Sequence, residues 1–95
     1  MAIQRSSFDA SAITAFQAAA SVTLTFPPKS IQLVNLHATE AVDVSLDGTT
    51  VHYTLTPGTL TAGVILLQRV LKIWFRRSSA SGSPTGVLIQ TVAED

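Results

Sequence analysis

The chain predicts an all-β fold, a small antiparallel β-sandwich or jelly-roll-like barrel of about six to eight strands. Three observations predict it. Short runs of alternating apolar and polar residues recur along the sequence. Turn-forming residues, among them Asp47-Gly48 and Pro57-Gly58, punctuate these runs at a spacing of about eight to twelve residues. No crossover helices lie between the runs, which excludes a parallel α/β sheet. With 95 residues there is material for one small domain.

Residues 1–10 are polar and mixed, and read as an N-terminal arm that is dispensable for the fold; residues 11–95 form the single β-sandwich domain. "SAITAFQAAA" allows two readings, since its alanines favour helix while Ile13, Thr14 and Phe16 permit a strand. "VTLTF" alternates, with Val22, Leu24 and Phe26 on one face, and Pro27-Pro28 ends it because neither can donate to a ladder. "SIQLVNLH" carries apolar residues of both parities, so either a bulge shifts its phase or both of its faces are covered. "VDVSL" places Val42, Val44 and Leu46 inward and Asp43 and Ser45 outward. Asp47-Gly48 supplies a tight hairpin turn. "TVHYTL" returns with Val51, Tyr53 and Leu55 inward and His52 and Thr54 outward. After a turn at Pro57-Gly58 come "LTAGVILL" and "VLKIWFRR". In the latter Leu71, Ile73 and Phe75 make one stripe, and Val70, Lys72, Trp74 and Arg76 the other. "SSASGSPTG" is a loop by composition, and "VLIQTV" is the last strand.

Composition narrows the function. Apolar residues make up 46% and charged residues only 13%, with six basic residues against six acidic ones. That charge share is about half the usual one, and a free monomer without net charge tends to associate. Part of the apolar surface is therefore expected to belong to an assembly; a compact alanine-rich monomer is the plainer alternative. The neutral balance argues against a nucleic-acid partner. The most apolar run, "VILLQRVLKIWF", is cut by Gln68, Arg69 and Lys72, and falls short of the about 18 clean residues of a membrane span. Residues Asp9 and Gln17 interrupt any signal-peptide core. The chain has no cysteine, so it has no disulfide and no thiolate chemistry.

Catalytic and metal readings find little support. His37 and His52 with Asp43 or Asp47 match no metal-ligand spacing, and solvated or interface histidines are expected instead. No serine sits in a Gly-x-Ser-x-Gly elbow. "SGSPTG" lacks the lysine of a phosphate loop. No catalytic residue, metal site, cofactor or small-molecule substrate is expected, and the chain reads as a non-enzyme. Charge placement says more. Arg69, Lys72, Arg76 and Arg77 cluster, as do Glu40, Asp43 and Asp47. These are either solvated edges or complementary patches that fix how copies dock. Trp74, between Lys72 and Arg76, favours docking, because tryptophan and arginine are enriched among dominant interface contacts. Arg5 and Phe8 in the arm complete the interface candidates.

"FDASAITAFQAAASVTLTFPPKSIQLVNLHATEAVDVSLDGTTVHYTL", followed by Pro57-Gly58, resembles small virion structural proteins of tailed bacteriophages. The ordered elements are the Phe8-Asp9 start, Phe16-Gln17, "TFPPKSIQLVN", the "VDVSLDGTT" hairpin, Pro57-Gly58, "KIWFRRS", a glycine-rich loop and a last strand, spanning Phe8 to Val92. Arg-Arg-Ser stands where the family has glycine, and 60–70 is shorter than expected. The resemblance implies a β-sandwich bound to the virion shell or neck, and makes 11–20 its first strand. The expected function is a capsid decoration or cement protein that associates as trimers and binds the major capsid protein on the outer head, after synthesis in the host cytoplasm. A neck, connector or tail-fibre-base subunit is the close alternative. A carbohydrate-binding sandwich with Trp74, Tyr53 and His52 as its platform is the more distant one.

Overall fold

The computed structural model describes residues 2–57, 64–66 and 70–95. Eight strands are present among them: β1 (Ile3–Asp9), β2 (Ser21–Thr23), β3 (Ser30–Asn35), β4 (Val42–Ser45), β5 (Tyr53–Leu55), β6 (Val64–Leu66), β7 (Lys72–Arg77) and β8 (Leu88–Glu94). They form two four-stranded antiparallel sheets, ordered β1-β8-β3-β6 (sheet A) and β2-β7-β4-β5 (sheet B). The all-β sandwich expected from the alternating pattern is what the chain adopts.

The inner faces follow that alternation. Val22, Leu24, Val42, Val44, Leu55, Ile73 and Phe75 from the side of sheet B meet Ile31, Leu33, Ile89 and Ala93 from sheet A in one buried cluster. In β3 the double parity of apolar residues comes from burial on both faces: Ile31 and Leu33 are fully buried inside, and Val34 is 9% exposed on the other face. No bulge is needed, because Ser30 to Asn35 pair with β8 in unbroken register.

Four expectations are corrected. Residues 3–9 are not an arm. They form β1, paired with β8 from Ile3↔Glu94 to Asp9↔Leu88. Alternation hid this strand because its inward residues are Gln4, Ser6 and Phe8, of which only Phe8 is apolar. Residues 11–20 are neither strand nor helix but a link from sheet A to sheet B. Ala10 N–H donates to Val87 O (2.8 Å), Arg77 N–H to Ile13 O (2.8 Å) and Phe75 N–H to Ala20 O (3.0 Å). An isolated helix this short is marginal even with many alanines, so pairing with the β7 backbone prevails. The β4–β5 connection is not a two-residue turn but the segment 46–52, in which Val51 is 41% exposed rather than inward. Asp43 and Ser45 do point away from the core, yet they are 8% and 0% exposed, because other parts of the chain cover them.

Candidate interaction surfaces

Two outward faces carry the residues singled out by charge. On sheet B the register sets Ser21 beside Trp74, Trp74 beside Ser45, and Arg76 beside Asp43. Strand alternation on β7 sends Ile73, Phe75 and Arg77 inward and Lys72, Trp74 and Arg76 outward. Lys72, Trp74 and Arg76 are thus brought together as expected. Two loops close over this row. The Lys72 ammonium lies 5.5 Å from the Trp74 ring, and the Arg76 guanidinium 4.4 Å from the Phe16 ring. Such contacts contribute about 0.5–1 kcal/mol at exposed sites.

The 46–52 loop covers the other side of Trp74. Gly48 has φ +84°, and a Cβ there would lie 3.1 Å from the indole. Only glycine allows both the left-handed backbone and this approach. Asp47 builds the loop. Its carboxylate accepts from the N–H groups of Thr50 and Thr49, both at 2.8 Å, and from Ser45 Oγ at 2.9 Å. Those backbone donors hold its carboxyl well below the usual carboxylate range.

Two acidic and two basic members of the clusters meet within one chain. Asp43 accepts from Arg76 Nε (3.1 Å), Thr54 Oγ1 (3.1 Å) and Ser78 Oγ (2.6 Å). Strands β4 and β7 are neighbours, so Asp43 and Arg76 stand opposite one another. Arg77 is corrected from a docking residue to a buried one, 5% exposed. Its Nη1 donates to Ser81 O (3.0 Å) and lies 3.9 Å from Glu40 Oε1. Glu40, Arg77 and Ser81 thereby tie two loops to one end of the sandwich. Phe8 is likewise corrected: it points inward and stacks on Phe75, with centroids 5.4 Å apart. Arg69 lies outside the described residues.

The histidines serve loops. His37 Nδ1 accepts from the N–H groups of Thr39 (3.1 Å) and Glu40 (3.0 Å). His52 Nδ1 accepts from Leu46 N–H (3.0 Å). Among the described residues no three His, Cys, Asp or Glu side chains converge to hold a metal ion. Nor do Trp74 and Tyr53 form one platform. Tyr53 and Phe75 both stand opposite Val44 and pack on the core face, while Trp74 points outward.

The outer face of sheet A is different. Gln32, Gln90 and Val92 project from its middle, with Leu36 and Leu88 at one end, each 40% exposed and joined by Leu36 N–H to Leu88 O (2.9 Å). Arg5, Ser7, Gln90 and Val92 line an open groove of about 330 Å³ there. The strand residues bearing charge on this face are Arg5, Asp9 and Glu94. Reading by alternation also missed Gln4. Its amide joins the edges of the two sheets, with Nε2 donating to Thr23 O (3.0 Å) and Oε1 accepting from Thr25 N–H (2.8 Å). No side-chain periodicity signals such a clip.

No family model, curated protein or solved structure matches this chain.

Proposed function

We propose that this chain is a structural protein of a tailed-bacteriophage virion, a decoration or cement protein on the outer head that binds where capsid subunits meet. The observation that carries the reading is the distribution of charge. Asp43 pairs with Arg76 and Glu40 lies by Arg77, all within one molecule. The outer face of sheet A presents the amides of Gln32 and Gln90 and the apolar Leu36, Leu88 and Val92 around an open groove. A surface of this kind gains by being covered, and it docks through shape and apolar burial rather than charge steering. The ordered resemblance from Phe8 to Val92 supports the same assignment. Function on this reading is association: many copies, each weakly held, reinforce a shell through their number.

The test is quantitative mass spectrometry of purified particles of the phage that encodes the chain. A decoration protein gives on the order of hundreds of copies per particle, as multivalent reinforcement requires. About a dozen copies would move it to the neck or tail. Absence from the particle would end the virion reading.

A further inference from the structure

Sheet A has a long open edge. β1 pairs with β8 on one side and, among the described residues, with no strand on the other. The bonds Ala10 N–H to Val87 O and Asp95 N–H to Ala2 O fix the phase of the ladder, so even-numbered β1 residues bond to β8. The N–H and C=O groups of Ile3, Arg5, Ser7 and Asp9 therefore point out of the sheet edge, and all four side chains are exposed. β1 has seven residues, whereas the edge strands of sheet B have three each. Edges this long are normally blunted by proline, a bulge or charge. β1 has no proline, and its two charges, Arg5 and Asp9, have opposite sign.

We propose that β1 is a two-fold joint between two copies of this chain, paired antiparallel with Ser7 on the axis and Arg5 of each copy opposite Asp9 of the other. The choice of register follows from the residues. Only odd-numbered residues present free backbone groups, so they must face odd-numbered residues. Centring on Arg5 opposes two guanidinium groups. Centring on Ser6 sets Ile3 against Asp9 and Arg5 against Ser7. Centring on Ser7 matches Arg5 with Asp9 twice and Ser7 with itself. Opposite charges across a ladder stabilise it and like charges destabilise it. The charges that would repel other strands thus select this partner. Joining the edges makes one continuous eight-stranded sheet from two sheets A. The Gln4 clip to Thr23 and Thr25 holds the edge in place before pairing, which lowers the ordering cost. An antiparallel self-pairing closes on a two-fold axis, so it gives pairs where the sequence suggested trimers.

The experiment is sedimentation and native mass spectrometry of the full chain, of Arg5→Glu, of Asp9→Arg, and of the two variants mixed. The parent is expected to be dimeric at tens of micromolar. Each single reversal is expected to weaken the dimer about tenfold, since two cross-strand pairs change sign. Mixing them restores both pairs and gives heterodimers. Asp9→Arg also loses the contact with Ser11, so two further variants read the joint independently. Ser7→Pro removes only an outward N–H, and is expected to give a folded monomer by circular dichroism. Ser7→Cys, in a chain without cysteine, is expected to cross-link to a covalent dimer on mild oxidation. A monomeric parent, no heterodimer from the mixture, or no cross-link at position 7 overturns the joint. The copy-number measurement on particles is independent of these results, so failure of the joint and failure of the virion reading are told apart.

Discussion

Replacing Asp43 with alanine tests whether the acidic and basic clusters are internal. The carboxylate is largely buried, with 11% of the side chain exposed, and accepts three hydrogen bonds. A hydrogen bond to a charged group contributes about 1.5–3 kcal/mol net, and a neutral one about half as much. The released donors reduce the loss. The Arg76 side chain is 33% exposed, and Thr54 and Ser78 are exposed, so all three regain water. The cost is therefore about 2 kcal/mol, below the 3–5 kcal/mol of breaking a fully buried pair. For a domain of this size that lowers Tm by about 8–16 °C. Urea unfolding followed by Trp74 fluorescence and by circular dichroism measures it. A double-mutant cycle with Arg76→Ala isolates the ion pair, expected at about 1 kcal/mol for a partly exposed partner. A loss under about 0.5 kcal/mol for Asp43→Ala, within the range of ordinary surface changes, would refute the reasoning and return Asp43 to the docking candidates.

Two other predictions concern the loop over Trp74. Gly48→Ala forces a side chain into the left-handed region and against the indole, and is expected to cost about 1–2 kcal/mol. Trp74 is the sole tryptophan, so its emission should shift with the substitution; unchanged emission and stability would rule out the contact. The pH prediction follows from Asp47, whose folded pKa is depressed by the Thr50 and Thr49 amides. A depressed carboxylate adds stability above its unfolded pKa of about 4, and that stability is lost as pH falls toward the folded value. Thermal melts from about pH 6 down to about pH 2 should show an acid-side loss that is smaller in Asp47→Asn; equal losses would contradict the assignment.

The fold was legible where apolar alternation coincides with burial. Val22 and Leu24, Val42 and Val44, and Ile73 and Phe75 all face the core as their parity requires. It was illegible where polar residues face inward for reasons other than hydrophobicity. In β1, Gln4 points in because its amide bonds two backbone groups of β2 and the residues after it. Ser45, fully buried, accepts from Gly48 N–H (2.8 Å) and donates to Asp47. The alanine run at 15–20 misled for the opposite reason. Its local preference is worth tenths of a kcal/mol per residue, and backbone bonds to β7 outweigh it. At the surface, the two charge clusters were visible, but their mutual distance was not. Asp43 and Arg76 are 33 residues apart in sequence, and the adjacency of β4 and β7 brings them together.

That adjacency shifts where association must occur. With Asp43 against Arg76, docking by opposed charge patches loses its main pair, and sheet A offers two other means of association: the backbone edge of β1 and the apolar and amide side chains of its outer face. The first strand then has two roles divided by parity. Its even residues fold the molecule, through the β8 ladder, the Gln4 clip and the Phe8–Phe75 stack. Its odd residues turn their backbone groups to the open edge. Deleting residues 1–10 therefore cannot separate attachment from folding, as it would if they were an arm. Substitution at positions 5 and 7 can, because it alters the edge while leaving the ladder to β8 in place.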